Sequence, residues 1–281
     1  MKRPTGNAVS GRNKEILDLF KDQMAGLRKG QDTSYAFNGG LMNRARERGV
    51  FRVGTPGDYL PFSYWDSAEA FPRGIDVDII RGFCAEQKVE CEFVRTSWKA
   101  LLEDLDGDRF DLAIGGIAIT KQRRLKALFS NSYFRTGKAP LVLRENASMY
   151  DSLRGIDQPH VRVIVNPGGT NEQFVRKKIR KARIMLHKDN ITIFENLVRG
   201  SADVMITDAI EARICEKLYP ELKAVNPHRP FTSAKLAFLF GIRERSFKKL
   251  MDRWILESSY SGFLGQVFYR WISPGVYEKK G

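Results

Sequence analysis

The chain has 281 residues, 42% hydrophobic and 11% aromatic, enough apolar material for packed cores and unlike a collagen, a coiled coil or a disordered chain. Its formal charge of +14 suits an anionic partner. The basic residues lie in short scattered clusters, with no zinc-ligand spacing, no RNA-binding aromatic signature and no long basic tail, so a small anionic ligand ranks above nucleic acid.

Residues 1–48 read as a partly helical N-terminal extension. Ile16, Leu17, Phe20, Met24 and Leu27 give Asn13 to Leu27 an amphipathic pattern, and Leu41 to Arg48 a second short helix. Met1 to Arg12 is polar and lacks the apolar centre of a secretory signal, and no segment is apolar enough to span a membrane. The expectation is a cytoplasmic protein, or a periplasmic one if a signal has been removed.

Alternating strand and helix patterns begin at Val50. A first α/β unit occupies 49–137, with strands at Phe51 to Thr55, Cys91 to Val94 and Asp111 to Gly115. An extended run at 138–144 leaves it as a crossing strand. A second unit fills 145–234, with strands at Val161 to Val165, Ile184 to His187 and Asp203 to Ile206. Residues 235–281 supply a return strand and two closing helices. Two α/β units joined by two crossings predict two lobes with a ligand cleft between them, at the carboxyl ends of the strands.

Asp58, Trp98, Arg123, Glu172 and Asp208 all follow strands on that side. The sharpest local pattern is Val161-Arg-Val-Ile-Val-Asn-Pro-Gly-Gly-Thr-Asn-Glu-Gln173, a strand, a glycine turn and a helix. Thr170 and Gln173 predict a capping box, and the turn aims backbone N–H groups at a carboxylate or phosphate. Cys84, Cys91 and Cys215 have no metal spacing and read as reduced core thiols, although Cys84 and Cys91 flank a turn and would be near enough to pair in an oxidising compartment. Three scattered histidines suggest neither a metal site nor a catalytic triad.

The order of these pieces resembles the type II periplasmic solute-binding proteins of amino-acid ABC transporters. Gly57-Asp-Tyr-Leu-Pro-Phe-Ser63, Gly74-Ile-Asp-Val-Asp78, Ile119-Thr-Lys-Gln-Arg123 and Asp203-Val-Met-Ile-Thr-Asp208 carry the likeness. Within that superfamily, Asn166-Pro-Gly-Gly-Thr-Asn-Glu172, Thr96-Ser-Trp98, Gly137-Lys138 and Thr207-Asp-Ala-Ile-Glu-Ala-Arg213 resemble the cyclohexadienyl dehydratases. That resemblance implies conversion of prephenate to phenylpyruvate, or arogenate to phenylalanine, with no metal or organic cofactor.

It also implies roles. Glu172 is the expected general acid, protonating the departing hydroxyl; this needs a raised pKa, which closure of the lobes would provide. Arg123 is the expected carboxylate clamp and Lys138 a second cation. Asn166, Gly169 and Thr170 form the turn at the ligand. Trp98 either stacks on a ligand ring or packs in its lobe, and Asp58 and Asp208 either orient the ligand or serve as turn residues. At Ala118 the resembled families usually carry a hydroxyl that helps hold the carboxylate; here only backbone donors remain. The competing reading is a non-catalytic binding protein for an amino acid or related carboxylate. Nothing in the sequence indicates an oligomeric state.

Overall fold

In a computed structural model, residues 40–66 and 68–273 are described. The helix expected at Asn13 to Leu27 lies outside them. Each lobe is built on a five-stranded sheet. In the first, the order is Glu90–Arg95, Val50–Thr55, Leu112–Ala113, Leu239–Gly241, Ala127–Phe129. In the second it is Arg183–Leu186, Arg162–Val165, Val204–Asp208, Lys138–Leu143, Leu222–Ala224. The first three strands of each are parallel, and the last two run antiparallel to their neighbours. Helices cover both faces, so the central strands are apolar on both sides; Phe51 and Val53 are buried in one lobe and Val163 to Val165 in the other.

The crossing lies one step upstream of its expected place. Phe134–Thr136 pairs antiparallel with Ala234–Leu236, forming a two-stranded ribbon between the sheets. Lys138–Leu143 is instead a full strand of the second sheet. Between ribbon and strand stands Gly137, where an added Cβ would lie 1.8 Å from the Thr232 carbonyl oxygen, so no side chain fits. The helix Leu41–Arg48, expected to belong to the extension, buries Leu41, Met42 and Ala45 in the core of the first lobe.

One buried carboxylate shapes the floor of the cleft. Asp76 Oδ2 accepts 2.8 Å hydrogen bonds from the backbone N–H groups of Gly115 and Gly116, and one of 2.7 Å from Tyr133 Oη. Burial raises its pKa to about 6 against the pull of those donors. Gly115 and Gly116 have φ of 119° and 66°, which favours glycine there. The turn leads into Ala118 and the short helix Lys121–Arg124, which Thr120 caps by accepting from the Arg123 N–H.

Candidate functional site

Where the lobes face each other, Tyr59, Trp98, Gly116, Ala118 and Arg123 from the first meet Asn166, Gly169, Thr170, Asn171, Asn190, Asp208 and Glu211 from the second. The space between them is about 30 Å³, room for one or two waters, so the lobes must part to admit an organic ligand. A larger cavity of about 630 Å³ lies beside the crossing ribbon, but none of its charged lining residues, Arg135, Arg213 and His228, is buried. Arg123, Asp208 and Glu211, all buried, line the small cleft.

Arg123 is 8% exposed and, among the described residues, no acid pairs with it. Its Nη1 donates to the Ala118 carbonyl at 2.9 Å, and its guanidinium carbon sits 5.8 Å from the Trp98 ring centroid. Burial without a carboxylate lowers its pKa to about 10. Ala118 therefore anchors the arginine through its backbone, while its methyl lines the cavity. Trp98 is fixed from behind, its indole Nε1 donating to Asp58 Oδ1 at 2.8 Å. Asp58 is thus a support rather than a lining group; burial raises its pKa to about 6, against the indole bond.

Lys138 also stands behind the lining. Its Nζ donates to Thr170 Oγ1 at 3.0 Å and to Asn171 Oδ1, and lies 3.0 Å from Asp208 Oδ1 as a charge contact without hydrogen-bond alignment. Asp208 Oδ2 accepts from Tyr59 Oη of the other lobe at 2.7 Å. Asp208 precedes the helix Ala209–Leu218, yet its side chain makes no cap bond, because it is turned to Lys138 and Tyr59.

Three residues on, one helical turn along the same face, comes Glu211. It is 1% exposed and accepts from Thr207 Oγ1 and, at 3.3 Å, from Asn190 Nδ2. Burial first, then Asp208 and Asp58, raise its pKa to about 8, while Thr207 and Lys138 oppose. Burial thus favours the neutral, protonated form of the Glu211 carboxyl.

Glu172 is placed differently from the expectation. It does not line the cavity: Oε2 accepts from the Gly168 N–H at 2.7 Å, and Oε1 pairs with Arg176 Nε at 2.8 Å. The Gly168 bond and Arg176 hold its pKa below the usual carboxylate range, the reverse of what a general acid needs. The capping box is also absent. Gly169 is the N-cap of the helix Thr170–Lys178 and Gln173 is exposed; Glu172 takes the orphan donor while the Thr170 hydroxyl turns to Lys138. Among the described residues, no group of three or more His, Cys, Asp or Glu is placed to hold a metal ion, and no helix is long and apolar enough to cross a membrane.

Tyr59, Asn171, Asn190 and Glu211 are cleft residues that the sequence reading did not single out. Glu211 had a usable signal in its spacing from Asp208. Asn171 lies inside the glycine-turn pattern, next to Thr170.

The model of the bacterial extracellular solute-binding proteins, family 3, matches residues 51–274. The chain belongs to this family. It is similar to cyclohexadienyl dehydratase of Pseudomonas aeruginosa, 45% identical over 231 residues that cover 82% of this chain and 85% of that one. It is also 28% identical to the L-cystine-binding protein TcyJ of Escherichia coli K12, over 84% of this chain and 88% of the relative. Among solved structures, an ancestral amino acid-binding protein, described as a precursor of cyclohexadienyl dehydratase, superposes with a TM-score of 0.78 at 30% identity, covering 83% of this chain and all of that one. The fold is thus the two-lobed, type II binding-protein architecture. The family also corrects the cytoplasmic expectation. Its members are extracellular solute-binding proteins, which points to the periplasm; the polar first residues were a poor guide.

Proposed function

We propose that this chain is a cyclohexadienyl dehydratase, converting prephenate to phenylpyruvate or arogenate to phenylalanine. The observation that carries the reading is how the buried charges are paired. In an amino-acid binder, Asp208 would be the partner for a ligand ammonium. Here Lys138 and Tyr59 already engage it, while the buried cation Arg123 has no acid among the described residues. Such a cleft favours an anion over a zwitterion. The likeness to the Pseudomonas aeruginosa dehydratase supports the same choice.

Arg123 pairs with the side-chain carboxylate that the product keeps; clamping the carboxylate that departs would stabilise the ground state against decarboxylation. Trp98 and Tyr59 wall the ring. The bond from ring to carboxylate breaks and carbon dioxide leaves. Its electron pair aromatises the ring as the opposite carbon–oxygen bond breaks, and the hydroxyl departs as water after taking a proton. Glu172 supplies that proton. To do so it must release Gly168 and Arg176 and swing into the closing cleft, where desolvation and the substrate's charge raise its pKa. Gly168 sits against Lys99 of the opposite lobe, so closure and the Glu172 turn are mechanically linked.

The test is to incubate the purified protein with prephenate and separately with arogenate, and to quantify phenylpyruvate and phenylalanine. Product formation is expected; a folded protein that yields neither overturns the reading. The second reading, a binding protein for an amino acid, is favoured by the TM-score of 0.78 with the ancestral amino acid-binding protein. Calorimetric binding of an amino acid without turnover would establish it.

A further inference from the structure

Asn190 belongs to the second lobe, three residues before the helix Ile193–Val198, and is 3% exposed. Its Nδ2 donates across the cleft to the Asp58 backbone carbonyl at 2.8 Å, and within its lobe to Glu211 Oε1 at 3.3 Å. A backbone carbonyl can only accept, so the amide is held with its nitrogen on that side. Its oxygen therefore points elsewhere. Asn190 lines the cleft, and its buried Oδ1 has no hydrogen-bond partner among the described residues. A buried amide oxygen left unpaired is costly, and such acceptors are satisfied when the right donor arrives.

We propose that Asn190 is a substrate-contacting, specificity-determining residue whose Oδ1 accepts a hydrogen bond from the ligand's hydroxyl. The assignment rests on the dehydratase reading, in which that hydroxyl is the group that leaves. Arg123 of one lobe and Asn190 of the other then read two features of one molecule: a carboxylate and an O–H donor. Holding the hydroxyl by its own hydrogen leaves its oxygen lone pairs free for the incoming proton. The aromatic product has lost this hydroxyl, so it makes no bond to Asn190 and is bound more weakly than the substrate. Glu211 and the Asp58 carbonyl act through Asn190, as positioning groups that fix which way its amide is turned.

The experiment compares a ligand that has the hydroxyl with one that lacks it. KM and kcat for prephenate, and the inhibition constant of phenylpyruvate, are measured for the wild type, Asn190→Ala and the near-isosteric Asn190→Leu. The second variant guards against a folding failure of the first, and melting curves identify which is folded. The expected result is a loss of about tenfold or more in kcat/KM for prephenate, the size of one hydrogen bond, with phenylpyruvate inhibition changed less than about twofold. Equal losses for both ligands would mean that Asn190 serves only the cross-lobe contact, and would overturn the assignment while leaving the dehydratase reading intact. Unchanged constants for both would overturn it as well. A wild type that turns over neither prephenate nor arogenate would overturn the dehydratase reading, and this assignment with it.

Discussion

Arg123 is a buried guanidinium that finds, among the described residues, a backbone carbonyl and an indole face but no carboxylate. An uncompensated buried charge costs stability until an anion arrives. Arg123→Met should therefore move stability and binding in opposite directions. The melting temperature of the ligand-free protein should hold or rise, while prephenate affinity falls by about a hundredfold or more, as for loss of a desolvated charge-assisted pair. Thermal melts with and without substrate check both, and a large fall in the ligand-free melting temperature would mean the arginine is structural. The two glutamates call for a paired test. Glu172→Gln should lower turnover by about 10²–10⁴-fold, the usual worth of a general acid, and leave the fold intact. Glu211→Gln should keep much of the turnover, because Gln retains a neutral group in the same pocket. The reverse result would assign the proton to Glu211, whose burial favours the protonated carboxyl. Arg123, Trp98 and Asp208 were legible because each follows a strand on the side where α/β sheets bind ligands. Glu211 was not, because its meaning comes from burial beside Asn190, Thr207 and Asp58, which no local pattern records.

Strands and helices were legible wherever apolar periodicity was strong, as at Val161 to Val165 and the closing helices Arg245–Tyr260 and Phe263–Ile272. The capping box failed because Lys138, thirty-two positions away in sequence, claims the Thr170 hydroxyl. A tertiary contact of that kind overrides a local signature. The crossing was misplaced for a related reason: Lys138–Leu143 and the ribbon strand Phe134–Thr136 are both extended, and only their partners tell sheet from ribbon. At the joint between them, Gly137→Ala would drive a methyl to 1.8 Å from the Thr232 carbonyl, so the ribbon must shift. A loss of about 1–3 kcal/mol is expected from such overpacking, read by denaturant unfolding, and an unchanged midpoint would mean the crossing has slack. Across the turn from the helix Ile75–Gln87 to the strand Glu90–Arg95, Cys84 and Cys91 are free thiols in contact, and that contact together with burial raises the Cys84 pKa. Mild oxidation should join them, seen as the loss of two hydrogens in the intact mass and of two alkylation sites, while buried Cys215 stays unreacted.

Within the cleft, the hydrogen bonds from Tyr59 to Asp208 and from Asn190 to the Asp58 carbonyl bridge the lobes, and each lies beside a buried carboxyl with a raised pKa. Proton uptake and stability are therefore coupled in the cleft. A carboxyl whose folded pKa lies above its unfolded value is disfavoured as its charged form, so it holds its proton in the native state after the unfolded chain has released one. Stability then falls as pH climbs from the unfolded value to the folded one, and is level beyond. For Asp58 and Asp76 the fall runs from about 3.8 to about 6. For Glu211 it runs from about 4.5 to about 8, which leaves the interval between pH 6 and 8 to Glu211 among these three. Glu211→Gln cannot ionise and should flatten that interval, recovering on the order of a few kcal/mol at pH 8 and little at pH 5. Unfolding curves for both proteins at pH 5, 6, 7 and 8 give the answer. Parallel pH profiles would mean that Glu211 ionises freely in the folded protein, and the cleft would then carry one more negative charge against an anionic substrate. A profile flattened only in the variant would mean that the closed cleft stores a proton between its lobes, which leaves one fewer negative charge beside Arg123 and Lys138 at neutral pH.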